Sequence, residues 1–85
     1  MTRELKKAIN RIRKAQDASF NGKTSCTAMT ILFSSLNRPD EPLCWFSIFC
    51  HCGDEVKSFT IGTSSTHEDI DGALNGISDF IGYPV

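Results

Sequence analysis

The stretch LCWFSIFCHCGDEVKSFTI, Leu43 to Ile61, decides the fold. Its cysteines, aromatics and histidine suit either a metal knuckle or a β-hairpin, and the Gly53-Asp54 pair in the middle favours the hairpin. Glycine supplies the positive φ required at the first central position of a type II′ turn. Counting outward from that turn sets Cys52 opposite Glu55, Cys50 opposite Lys57, Ile48 opposite Phe59 and Phe46 opposite Ile61. Phe46, Ile48, Phe59 and Ile61 then share one face, where cross-strand apolar pairs contribute roughly 0.2–1 kcal/mol each. That face is the expected core, and Trp45, Ser47, Phe49 and His51 point the other way.

Upstream, Ser25 to Ser34 is rich in β-branched and apolar residues and reads as a strand. Met29, Ile31 and Phe33 lie on one face, and Ala28, Thr30 and Leu32 on the other. The LNRPDEP segment that follows is a loop, because its two prolines remove donors and favour extended neighbours. Near the N-terminus, Leu5, Ala8, Ile9, Ile12 and Ala15 recur at helical spacing, with Thr2 as the cap and an end near Ser19, before the Asn21-Gly22 turn. A second helix carries Ile70, Ala73, Leu74, Ile77, Phe80 and Ile81. Ser65 with Glu68 fits a capping box at its start, and Gly82 and Pro84 stop it.

The predicted fold is therefore α+β with the order αβββα: a three-stranded antiparallel sheet with both helices on one face, in a single domain over 1–85. Eighty-five residues, 40% of them apolar, support one packed core that buries about 60% of the unfolded chain's surface. No apolar run approaches a membrane span, and the charged start MTRELKKAINRIRK is unlike a secretory signal. The expectation is a cytoplasmic protein with no membrane partner, whose four cysteines are reduced.

A metal knuckle would have to combine Cys50 and Cys52 with Cys26 or Cys44. The paired C-x2-C or H-x3-H spacings of zinc sites are missing, and strand alternation turns His51 away from Cys50 and Cys52. A small structural-zinc protein is thus a minor alternative, and no cofactor is expected. For catalysis, His67 would need to approach a cysteine, but no orienting group or oxyanion donor is evident. GTSSTHED lacks the glycine spacing and lysine of a phosphate loop, so its hydroxyls read as cap chemistry and the chain as a non-enzyme.

Two surfaces remain. On the outward side of the sheet, Trp45, Phe49 and Leu32 stand among Thr30, Ser47 and His51, an apolar patch of the kind that marks contact sites. The other candidate is the basic stripe Arg3, Lys7, Arg11 and Lys14 on the first helix, a possible nucleic-acid surface. Residues 1–20 carry a net +4 and residues 65–85 a net −4, so the two helices can also attract each other.

The αβββα order is similar to that of the double-stranded-RNA-binding domain. GTSSTHEDIDGAL occupies the place of that family's phosphate-gripping lysine cluster, and here His67, Glu68 and Asp69 stand there. The resemblance implies the fold, and the inverted charge argues against duplex RNA. The leading expectation is a protein-binding module, a regulator or inhibitor using the open face, with self-association as a homodimer as a variant. Its small size is what phage-borne accessory regulators share. Nucleic-acid binding is the alternative.

Overall fold

The computed structural model describes residues 2–40 and 42–85. Helix α1 spans Arg3–Phe20, strands β1, β2 and β3 span Ala28–Leu36, Leu43–Cys52 and Glu55–Gly62, and helix α2 spans His67–Ile81. All three strands pair antiparallel in the order β1-β2-β3. The αβββα order and the α+β class are those expected from the sequence.

The β2–β3 register is the expected one, with Phe46 opposite Ile61, Ile48 opposite Phe59, Cys50 opposite Lys57 and Cys52 opposite Glu55. Gly53 has φ 61° at the turn, and no non-glycine residue among those described has a positive φ. That combination suits a type II′ turn and excludes type I′, which needs positive φ at both central positions. Ile48 and Ile61 are fully buried, and Phe46 is 4% exposed. Both helices close over this face. Leu5, Ile9 and Ile12 of α1, Leu74, Ile77 and Ile81 of α2, and Phe46, Ile48, Cys50 and Ile61 of the sheet belong to one core cluster. No polar or charged residue is buried among the described residues, so apolar packing dominates the cohesion.

Two boundaries differ from the sequence reading. β1 begins at Ala28, not Ser25, because the preceding backbone has other partners: Ser25 N–H donates to the Ile81 carbonyl, and Cys26 N–H to the Thr24 hydroxyl. β1 also runs on to Leu36, which pairs with Leu43, so the loop shortens to 37–42, and Glu41 of that loop lies outside the described residues. Phe33 shares the helix-facing side with Met29 and Ile31 but, on the edge strand beside Phe46, is 56% exposed.

The cap of α2 is shifted by one residue. Thr66 is the N-cap, accepting from Asp69 N–H while the Asp69 carboxylate accepts from Thr66 N–H. Ser65 has a different task, its Oγ accepting from Gly62 N–H at 2.9 Å. The reciprocal bonds from Thr66 hold the Asp69 carboxyl below its ordinary pKa. Its contribution is therefore complete above the unfolded carboxylate pKa and lost as pH falls through the lower folded value. Thr66→Ala is expected to destabilise by about 1 kcal/mol in urea titrations. At low pH, where Asp69 is protonated, the wild type should come closer to an Asp69→Asn variant.

Candidate functional site

The helix-free face follows from the same alternation that builds the core. Across it, Trp45 lies between Ser34 and Gly62, Ser47 between Leu32 and Thr60, Phe49 between Thr30 and Ser58, and His51 between Ala28 and Val56. The Trp45 and Phe49 rings are thus flanked directly across the sheet by small or hydroxyl side chains. Trp45 and Phe49 are half-buried, and Leu32, diagonal to both, is 51% exposed. Thr30 is exposed, and Ser47 and His51 are intermediate.

Gly62 lets Trp45 sit against the neighbouring strand. A Cβ at residue 62 would come within 2.8 Å of both the Cys44 carbonyl oxygen and Trp45 Cβ. Leu43, Trp45, Thr60 and Thr63 border a cleft of about 230 Å³ beside this glycine. Thr63 Oγ1 is engaged with the Cys44 backbone at 3.3 and 3.4 Å, so it supports the strand end. Apolar members of this face that the sequence does not single out include Val56 and Leu36, which are 53% and 48% exposed. Carrying the alternation through to the true end of β1 and across the hairpin from His51 would have found both.

The basic stripe is not a free field. Lys7 and Arg11 line a cleft between the helices together with Glu4, His67 and Asp71, and Arg11 donates through Nη2 to the Val85 carbonyl. His67 bridges the helices, its Nδ1 lying 3.3 Å from Glu4 and its Nε2 3.1 Å from Asp71. These groups are mostly exposed, so the bridge contributes little to stability, but it shows where the opposite helix charges meet. Arg3 and Lys14 are exposed on α1.

The cysteines separate into two places. Cys26, Cys50 and Cys52 gather on the helix side at the hairpin end, where Cys26 Sγ donates to the Ala28 carbonyl and Cys52 Sγ to the Phe80 carbonyl. Cys44 lies at the opposite end of β2, and all four are free thiols. No group of three or more His, Cys, Asp or Glu among the described residues is arranged to hold a metal ion. His67, on Glu4 and Asp71, begins α2, whereas the three-thiol group lies near its last turn at Phe80, about 20 Å along the helix. Burial, reinforced by the neighbouring Cys26 and Cys52, pushes the Cys50 thiol up from 9.0 to about 12, so it is a protonated packing group at neutral pH.

Two measurements test these assignments. Ile48→Ala should cost about 2–5 kcal/mol, whereas Trp45→Ser with Phe49→Thr should cost clearly less per residue, since only the former opens a core cavity. With its folded pKa raised, the Cys50 contribution is fully present below pH 9.0 and is lost as pH rises toward about 12. The wild type should therefore lose stability in that range more steeply than Cys50→Ala.

Comparisons of the chain with protein-family models, with curated proteins and with solved structures found no match.

Proposed function

We propose that this chain is a non-enzymatic protein-binding module whose open sheet face docks on another protein, as a regulator or inhibitor occupying its partner's surface would. The observation that carries the reading is the pair of rings at Trp45 and Phe49, on the helix-free face and directly opposite Ser34, Gly62, Thr30 and Ser58. Aromatic anchors among small residues, with half-exposed Leu32 alongside, give a contact surface a large apolar area at low conformational cost. No helix among the described residues is long and apolar enough to cross a membrane, so the patch is not accounted for by a helical span.

Two further observations favour binding over catalysis. Four clefts among the described residues hold between 110 and 240 Å³, smaller than the about 300–1,000 Å³ of typical small-molecule sites. Glu4, His67 and Asp71 meet on the surface between the helices, in a cleft whose lining includes no cysteine, serine or threonine. Nucleic-acid binding through Arg3, Lys7, Arg11 and Lys14 has weaker support, because Lys7 and Arg11 share a cleft with Glu4 and Asp71. Carboxylates there would repel phosphate.

Trp45 is the only tryptophan and so reports on its own face. Immobilised wild type and a folded Trp45→Ser, Phe49→Thr variant would be exposed to extract of the source organism. The expected result is a protein recovered in stoichiometric amount by the wild type and lost by the variant, with Trp45 emission shifted to the blue in the purified complex. Equal recovery by both forms, or unchanged emission in the complex, would remove the open face from consideration.

A further inference from the structure

A second surface, separate from the open face, lies along the free edge of β1. The strand AMTILFSSL contains no charged residue and no proline, and it forms one edge of the sheet. Such an edge presents unpaired N–H and C=O groups, which proteins usually guard with charges, proline or a covering element. The opposite edge, β3, does carry Glu55 and Lys57, and Lys57 is held over the Phe80 ring of α2 at 5.4 Å. Among the described residues, side-chain bonds reach the β1 backbone only at its start, where Cys26 Sγ donates to the Ala28 carbonyl and Gln16 Nε2 to the Met29 carbonyl at 2.9 Å, and none reaches Thr30–Leu36.

Helix α1 runs antiparallel beside this edge and forms a wall. Gln16 and Phe20 face Ala28 and Met29 at one end, and Lys6, Asn10 and Arg13 stand over Phe46 at the other. Phe33, whose ring centroid is 5.0 Å from that of Phe46, continues the floor toward the edge. Phe20 at 92% and Phe33 at 56% exposure mark the apolar ends of the trough. Lys6 and Arg13 stand toward the Phe33 end, and neither forms an ion pair among the described residues. The span from Lys6 to Phe20 is about 21 Å of helix, the length of roughly six or seven extended residues.

We propose that an extended segment of a partner protein, bearing acidic and apolar side chains, adds to β1 as a fourth strand. Its backbone satisfies the edge, its carboxylates meet Lys6 and Arg13, and an apolar side chain fills the space at Phe33. The charge of the wall selects this occupant over a second copy of the chain. Two copies joined at β1 would bring two cationic flanks of α1 toward each other across the symmetry axis, which is unfavourable.

The test uses the intact chain and a synthetic peptide of about eight residues, alternating glutamate with threonine and ending in leucine. A counterpart carries lysine in place of glutamate. Backbone amide shifts and hydrogen exchange should report binding of the acidic peptide at Thr30–Leu36, weakened by salt and absent with the lysine peptide. Lys6→Glu combined with Arg13→Glu, both at exposed helix positions, should weaken it roughly tenfold. The Trp45→Ser, Phe49→Thr variant should bind as the wild type does, so failure here leaves the open-face reading intact and the converse also holds. The proposal is overturned by no β1 protection at millimolar peptide, by affinity indifferent to the charge reversal, by shifts confined to the Trp45 face, or by β1 protection that comes from doubling of the chain's own mass.

Discussion

The pairing of β2 with β3 around Gly53 is the constraint on which the rest of the molecule depends. In a strand the side-chain period is two, so one residue of slippage would send Phe46, Ile48 and Cys50 to the helix-free side and bring Trp45 and Phe49 under the helices. The observed register leaves no such choice, because it aligns Ile48 with Phe59 and Phe46 with Ile61 where Leu5, Ile12, Ile77 and Ile81 can close over them. Core and open face are therefore fixed together. The rings of Trp45 and Phe49 are outside because their neighbours in sequence are inside.

Much of this architecture was legible because it depends on local signals that agree. The glycine turn, the alternating aromatic and aliphatic residues and the two helical stripes each point to the same αβββα arrangement. The cap of α2 was misplaced because SSTHED contains two overlapping Ser/Thr-x-x-acid pairs, Ser65 with Glu68 and Thr66 with Asp69. The turn that leaves β3 separates them: Ser65 is already occupied by Gly62 N–H, which leaves Thr66 to start the helix. Phe33 illustrates a different limit. Its face could be read from alternation, but its exposure depends on how far the helices extend over the sheet, which no local pattern encodes. The same holds for the trough beside α1, since Lys6 and Arg13 read as ordinary solvated charges until the helix is docked against β1.

The cysteines show how an apparently chemical motif is absorbed by packing. Cys50 and Cys52 lie on the helix side by alternation, and Cys26 joins them from the segment leading into β1. Burial favours the protonated form of Cys50 and, in the same direction, of Cys52, which suits a packing contact and weakens both as nucleophiles or metal ligands. Their conspicuous spacing in the sequence reflects the period of the strand.

The charge separation along the chain has a similar structural outlet. Asp71 of α2 and part of the basic stripe of α1 meet between the helices, where His67 lies between Glu4 and Asp71, and Lys7 and Arg11 flank the same cleft. The cations on the opposite flank of α1, Lys6 and Arg13, have no such counterpart among the described residues, and they overlook the one sheet edge that carries no charge of its own. The helix therefore places Lys7 and Arg11 in the interhelical cleft and Lys6 and Arg13 on its opposite flank, while Arg3 and Lys14 are exposed. Because that strand also borders the open face through Thr30 and Leu32, a chain added at β1 would extend the surface around Trp45 and Phe49 by one strand's width. The two surfaces are distinct in chemistry but continuous in space.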